Sequence, residues 1–174
     1  MPEKLEEILN LVSEYILEKQ ENEKWNEGKD WISYSGPVFD DQEYLAAIRQ
    51  VLDGWMIFGK NAREFEKQFP SKLGMLYGAL TNSGSSANLL MVAATKSRRF
   101  KKRLKDGDKI ITPVVCFPTT INPIIQNNLV PVFVDVELPS INLDLDKVEE
   151  LLKTDPDIKG IMFAHVLGNP PDMD

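Results

Sequence analysis

The sequence contains very few of the side chains that form disulfides and metal sites. Its 174 residues include one cysteine, Cys116, and one histidine, His165. A single cysteine excludes an internal disulfide and is typical of a reducing compartment, so the expected location is the cytoplasm. No group of His, Cys, Asp and Glu residues has the spacing of a metal site, and a sole histidine gives no basis for a Ser-His-Asp triad.

The chain also lacks an excess of positive charge and any long apolar run. Its formal net charge is -7, whereas nucleic acids and anionic membranes attract a basic face. No stretch approaches the roughly 18 apolar residues of a membrane-spanning helix. The first seven residues are too acidic for a signal peptide. Neither a nucleic acid nor a membrane is therefore an expected partner.

The composition, 43% hydrophobic and 27% charged, is that of a globular protein rather than a disordered one. Apolar residues recur at three- and four-residue steps over residues 5–16, which predicts an amphipathic helix, and the polar segment 20–30 predicts a linker. Residues 1–31 are therefore expected to precede a main body of residues 32–174. That body is predicted to begin with one helix over residues 41–52 and another from an N-cap at Asn61 to Gly74.

From residue 75 onward, short apolar runs alternate with longer helical segments. The predicted strands are residues 75–81, 109–115, 130–136 and 159–166, and the predicted helices are residues 86–104, 118–127 and 143–153. The apolar runs show little alternation, as expected for strands covered on both faces. The pattern predicts an α/β fold with three layers and a mainly parallel sheet.

The segment Thr-Asn-Ser-Gly-Ser-Ser-Ala-Asn, residues 81–88, lies where a predicted strand turns into a helix. A helix start offers unpaired N–H groups, Gly84 allows an anion to approach the backbone, and Ser85 and Ser86 add hydroxyl donors. The turn therefore suits a phosphate monoester, although serine and glycine also cap helices for structural reasons alone. It matches neither a Walker A loop nor the dinucleotide fingerprint, so ATP and NAD are poorly supported.

Three segments follow predicted strands and are expected to meet at one edge of the sheet, where ligands of open α/β sheets bind. They are residues 83–86, 116–120 and 165–169. An anion cradle, the ring of Phe117 and the imidazole of His165 would together suit a planar phosphorylated cofactor. The alternatives are that Phe117 belongs to the core, that His165 is structural and that Cys116 is a small buried filler.

Two motifs, NSGSSAN at 82–88 and FPTTINP at 117–123, resemble those of the DegT/DnrJ/EryC1/StrS sugar aminotransferase family. Further matches in the same order include PVFVDV at 131–136 and His165 followed by GNP at 168–170. The resemblance covers roughly residues 32–174 and is greatest to the branch of CDP-4-keto-6-deoxyglucose 3-dehydrases of lipopolysaccharide biosynthesis.

This resemblance implies the amino-terminal part of the type I aminotransferase fold that depends on pyridoxal phosphate. It implies a homodimer that binds pyridoxal or pyridoxamine phosphate and acts on a nucleotide-linked keto sugar. Gly84, Ser85 and Ser86 correspond to the family's phosphate-binding turn, and Phe117 to the residue that stacks on the pyridine ring. With His165 at the same edge, these residues form the candidate cofactor site.

No catalytic residue is expected within the chain. The resemblance implies that the base, a lysine for transamination or a histidine for dehydration, would follow Asp174, as would the cysteines of a [2Fe-2S] cluster. The chain is therefore expected to be an inactive fragment whose parallel sheet needs a partner. The alternatives are a nucleotide-sugar aminotransferase of the same family, a non-catalytic module that assembles with a full-length homologue, and a plain α/β domain.

Overall fold

The structure is a computed structural model that describes residues 2–173. The chain divides into two compact units, Met1–Gly78 and Ala79–Asp174. The first unit is helical over its described residues, and the second contains the sheet. None of the described helices is long and apolar enough to cross a membrane. The boundary predicted near residue 31 stays a prediction.

The first unit has three helices: α1 (Pro2–Asn22), α2 (Asp41–Leu52) and α3 (Lys60–Lys72). Helix α1 packs against α2 and buries Leu9, which is 2% exposed, together with Ile16. These two residues belong to the apolar face predicted for residues 5–16. The helix continues to Asn22 and thus includes the first residues of the predicted linker.

Hydrogen bonds to the Asp40 side chain determine where α2 begins, whereas the N-cap predicted for α3 is wrong. The Asp40 carboxylate accepts a hydrogen bond from the N–H of Gln42, and the Asp40 N–H donates to Glu43, which forms a capping box. Helix α3 was predicted to have Asn61 as its N-cap, but Gly59 occupies that position. The Asn61 side chain instead donates to Gln50 Oε1, so it does not cap the helix.

The second unit alternates helices and strands, as predicted. Its elements are α4 (Gly84–Thr95), β1 (Lys109–Pro113), α5 (Pro118–Gln126), β2 (Val130–Val134), α6 (Leu145–Thr154), β3 (Ile158–Ile161) and a short 3-10 helix (Val166–Gly168). The sheet is parallel with strand order β2-β1-β3, which confirms the predicted class. Except for α4, each strand and α-helix of this unit begins and ends within five residues of its predicted bounds.

Strand β1 lies at the centre of three layers. On one face Ile110 packs in a cluster with Val92 of α4 and Ile124 of α5. On the other face Ile111, which is fully buried, packs in a cluster with Val148 of α6. Apolar residues therefore face both sides of the central strand, which is why its sequence shows little alternation.

The strand predicted over residues 75–81 is absent from the structure, so this prediction is wrong. Leu76 and Tyr77 are each 89% exposed, and the segment is extended or bent. A strand forms only when a neighbour takes up its backbone hydrogen bonds. The sheet of residues 2–173 pairs β1 with β2 and β3 and includes no strand beside residues 75–81.

The helix predicted over residues 86–104 is shorter than expected and begins earlier. Helix α4 starts at Gly84 because Ser83 caps it, and it ends at Thr95. Six of the residues 96–103 are lysine or arginine, and like charges on neighbouring turns oppose a helix. The Leu104 N–H donates to the Thr95 carbonyl at 3.1 Å, so this basic segment folds back as a loop.

Candidate functional site

The start of α4 carries the residues of the predicted anion cradle. Ser83 is the N-cap: its Oγ accepts from the Ser86 N–H at 3.2 Å, and its carbonyl accepts from the Ala87 N–H at 3.0 Å. Gly84 and Ser85 occupy the first two helical positions, which have no acceptor one turn earlier. Among the described residues, no acceptor binds the N–H of either one. Two backbone donors at the positive end of the helix dipole therefore remain available.

The space in front of this cradle is open. A Cβ atom added to Gly84 would meet no heavy atom within 4 Å beyond its chain neighbours and its own helix backbone. Ser85 and Ser86 are half-buried, so their hydroxyl groups lie at the edge of the same turn. Two backbone donors, two hydroxyls and open space fit an anionic group with several oxygens, such as a phosphate monoester.

The start of α5 carries the aromatic candidate. Phe117 is the N-cap residue, Pro118 occupies the first helical position, and the Phe117 carbonyl accepts from the Thr120 N–H at 2.9 Å. The Phe117 side chain is 69% exposed, so it is not a core residue. Cys116 is half-buried, and its burial raises the pKa of the thiol, which keeps it protonated at neutral pH. An exposed ring beside a neutral thiol suits stacking on a planar ligand.

The structure joins the cradle to the segment that carries Phe117. Ser85 Oγ donates to Thr119 Oγ1 at 3.2 Å, and the Asn88 side chain donates to the Thr119 carbonyl at 3.1 Å. Helices α4 and α5 also pack against each other. The two helix starts therefore lie side by side at the carboxyl end of the sheet. Sequence reasoning missed the contact residues Asn88 and Thr119, although both lie within the recognised motifs.

His165 lines a different cavity from Phe117, although its chain neighbours Ala164 and Val166 line the Phe117 cavity. It caps the short 3-10 helix after β3, its side chain is exposed, and its ring centroid is 5.5 Å from that of Phe163. It lines a cavity of about 560 Å³ whose other residues include Met91 and Met162. The cavity that Phe117 lines does not include His165. The structure therefore does not bring the imidazole into the cavity lined by the aromatic candidate.

The cavity beside Phe117 has a volume of about 330 Å³ and is mainly apolar. Asn142 is a polar residue in its lining and is nearly buried, and its Oδ1 has no hydrogen-bond partner within the described part of the chain. No pattern in the sequence indicated this residue. Over residues 2–173, no group of three or more His, Cys, Asp or Glu side chains is arranged to hold a metal ion.

The sequence model of the DegT/DnrJ/EryC1/StrS aminotransferase family matches residues 39–174. The chain belongs to this family. It is 42% identical over 171 residues to a dTDP-4-dehydro-2,6-dideoxy-D-glucose 3-dehydratase of Saccharopolyspora spinosa, covering 98% of this chain and 36% of that protein. It is 40% identical over 165 residues to the lipopolysaccharide biosynthesis protein RfbH of Salmonella typhimurium strain LT2, covering 94% of this chain and 37% of RfbH.

Solved structures of the family have the same fold. The Escherichia coli GDP-4-keto-6-deoxy-D-mannose-3-dehydratase with bound hydrated PLP aligns with a TM-score of 0.65 and 38% identity, over 76% of this chain and 34% of that one. The likeness confirms the α/β fold of the pyridoxal-phosphate-dependent aminotransferases. The chain spans about a third of the length of these relatives.

Proposed function

We propose that this chain supplies the cofactor-binding part of an enzyme that removes the C3 hydroxyl from a nucleotide-linked 4-keto sugar with pyridoxal or pyridoxamine phosphate. The observation that carries the proposal is the pair of adjacent helix starts, with an open anion cradle on α4 and an exposed Phe117 on α5. Relatives named as 3-dehydratases of dTDP- and GDP-linked sugars, 38–42% identical, support the reaction.

The residues of the two helix starts fit the cofactor. The N–H groups of Gly84 and Ser85 and the hydroxyls of Ser85 and Ser86 would hold its phosphate, helped by the positive end of the α4 dipole. Phe117 would stack on the pyridine ring and shield one face of it from water. Bound there, the cofactor supplies an electron-withdrawing ring that delocalises the electron pair left when a proton is removed.

The remaining roles belong to the proposal as well. His165 is proposed as a further contact of the bound cofactor, because its neighbours Ala164 and Val166 line the Phe117 cavity and a turn of its side chain would bring the imidazole there. The base that moves the proton is proposed to lie in the part of the family's length that this chain does not span. We also propose a homodimer in the cytoplasm and, as the resemblance to the 3-dehydrases implies, a [2Fe-2S] cluster held outside these residues. The single cysteine, Cys116, supports the reducing compartment.

A nucleotide-sugar aminotransferase of the same family is the second candidate. The solved Helicobacter pylori aminotransferase PseC is 26% identical over 76% of this chain, with a TM-score of 0.63. The higher identity of the 3-dehydratases favours dehydration. The sequence resembles a branch that acts on CDP-linked sugars, and relatives are named for dTDP- and GDP-linked sugars, so the proposal names no single nucleotide.

The first experiment measures binding of pyridoxamine phosphate to the purified chain. Pyridoxamine phosphate has no aldehyde and so does not condense with surface lysines. We expect it to bind more tightly than pyridoxamine, which lacks the phosphate. Replacing Ser85 and Ser86 with alanine should weaken binding by on the order of 1 to 3 kcal/mol, because charge-assisted hydrogen bonds are lost. The matched control is S71A/S97A, which removes two serine hydroxyls outside the cradle.

Equal affinity for pyridoxamine and its phosphate, or no change in the Ser85 and Ser86 double variant, would contradict the site. A chimera tests the reaction itself. Residues 1–174 replace the matching part of Salmonella RfbH, and the products formed from CDP-, dTDP- and GDP-linked 4-keto-6-deoxy sugars are analysed. Replacing the C3 hydroxyl by hydrogen is a two-electron reduction, so the assay contains pyridoxamine phosphate in excess, whose conversion to pyridoxal phosphate and ammonia supplies the two electrons. We expect a 3-deoxy sugar. A folded chimera that binds pyridoxamine phosphate but does not remove the C3 hydroxyl would contradict the proposal.

A further inference from the structure

Thr119 makes two hydrogen bonds to α4 from the start of α5. Its Oγ1 lies 3.2 Å from Ser85 Oγ, and its carbonyl oxygen lies 3.1 Å from Asn88 Nδ2. Ser85 and Asn88 are three residues apart and thus share one face of the helix. Both contacts are partly buried, so water competes with them less than at an open surface. Thr119 is therefore held by its backbone and its side chain together.

This contact determines how the phosphate donors lie relative to the aromatic ring. Thr119 follows Phe117 by two residues, and Pro118 between them fixes the backbone at the helix start. In pyridoxamine phosphate a short ester arm joins the phosphate to the ring, so the two binding elements must keep one spacing. Groups held at that spacing before the ligand arrives lose less freedom on binding.

The hydroxyl pair also has directional chemistry. A serine hydroxyl has one proton to donate and can accept from another donor at the same time. When Ser85 donates that proton to a phosphate oxygen, its Oγ is free to accept the proton of Thr119. A chain of hydrogen bonds then runs from Thr119 through Ser85 to the phosphate, and each bond polarises the next.

We propose that Thr119 is a positioning residue of the cofactor site: the bond that Ser85 donates to Thr119 reverses when the cofactor binds, so that the Thr119 hydroxyl donates to Ser85 Oγ and the Ser85 proton is directed at the cofactor phosphate. The inference rests on the proposed function and assigns a role to a residue that touches Ser85. Asn88 supports that role, because its amide holds the Thr119 backbone in place.

The test is a double-mutant cycle on the purified 174-residue chain, with pyridoxamine phosphate as the ligand. T119V replaces the hydroxyl by a methyl group of similar size and should weaken binding about three- to tenfold, the effect of one lost neutral hydrogen bond. T119S keeps the hydroxyl and should bind like the parent. In an S85A background T119V should change the affinity less than about twofold, because Thr119 acts through Ser85.

The matched control is T95V, since the Thr95 hydroxyl bonds to the Val92 carbonyl at the other end of the same helix. It should not change the affinity. If T119V fails to fold, T119A and T119S form a second pair that differs only in the hydroxyl, and tighter binding by T119S is then expected. Affinity for pyridoxamine should be the same in all folded variants, because it has no phosphate for Ser85 to hold.

Each outcome decides between the proposals. If the parent binds pyridoxamine phosphate and T119V binds it equally well, the role of Thr119 is overturned and the proposed function stands. If T119V weakens binding as much in the S85A background as in the parent, Thr119 does not act through Ser85 and the inference fails. If the parent does not bind pyridoxamine phosphate, the proposed function and this inference both fail.

Discussion

Lys109 Nζ lies 2.6 Å from Asp155 Oδ2, and this ion pair joins the first residue of β1 to the residue that ends α6. The Lys109 N–H also donates to the Asp157 carbonyl at 3.0 Å, so the pair lies where β3 is about to begin beside β1. The hydrogen bond from Lys109 lowers the pKa of Asp155 below its ordinary 3.8, and Asp155 raises the pKa of Lys109 above 10.5.

The ion pair predicts acid-dependent stability. Because the folded pKa of Asp155 is lowered, its contribution is present above pH 3.8 and is lost as the pH falls through the folded pKa. D155N should therefore have a lower thermal unfolding midpoint than the parent at neutral pH, and the difference should shrink in acid. Thermal unfolding followed by circular dichroism across this pH range measures it. A difference that stays constant down to the most acidic condition would contradict the assignment.

Replacing Phe117 with leucine should weaken binding of pyridoxamine phosphate and leave binding of inorganic phosphate unchanged. The ring contact is expected to contribute about 0.5–1.5 kcal/mol, the range of aromatic pairs. The exposed side chain contributes little to the core, so the thermal unfolding midpoint should stay close to that of the parent. F100L is the control, because Phe100 is also exposed but lies in the loop after α4. An equal loss of affinity in both variants would argue against stacking by Phe117.

Asp40→Ala should destabilise the start of α2 by about 1 kcal/mol, because it removes the capping box. Hydrogen exchange of the α2 amides reports this change directly, since it measures local opening. D53A is the comparison variant at the other end of the helix, where a carboxylate lies near the negative end of the dipole. It should not increase exchange in the first turn. Unchanged protection in D40A would mean that the cap bonds contribute little.

Substitution of the buried Ile111 should reduce the stability of the chain, whereas substitution of the exposed Leu76 should not. Ile111 is fully buried, so I111A should cost about 2–5 kcal/mol of unfolding free energy and I111V about 0.5–1.5 kcal/mol. Leu76 is exposed, so L76S should leave the stability unchanged and raise the concentration at which the chain aggregates. Chemical denaturation and light scattering measure the two effects. Destabilisation by L76S would show that residues 75–81 are packed in solution.

Local patterns in the sequence were enough to predict most of the second unit. An unbroken apolar run marks strand β1, a proline marks the start of α5, and an amphipathic repeat marks α6. Each of these patterns depends only on residues close together in the sequence. The strand predicted at residues 75–81 failed because a strand also needs a neighbour, and no local pattern specifies one. The end of α4 was missed because residues 96–103 contain no glycine or proline to mark the end of a helix, whereas their like charges oppose one.

The same distinction holds for the candidate site. Gly84, Ser85 and Ser86 were placed correctly at a helix start, since a strand-to-helix turn is visible in the residues themselves. The Ser85–Thr119 bond joins residues 34 apart and depends on how α4 packs against α5, which the sequence does not display. His165 follows its strand as expected, but the direction of a side chain after a strand is set by the turn that comes next.

The division of the site between two helix starts has a consequence for how such a protein can change. In the proposed site one helix would hold the cofactor phosphate and the other would contact its ring, so a substitution at Phe117 would alter the surroundings of the ring and leave the contacts at Gly84 unchanged. The reaction catalysed could then change while the cofactor stays bound. The hydrogen bond between Ser85 and Thr119 links the two helix starts. Substitutions that remove it would uncouple phosphate binding from ring binding.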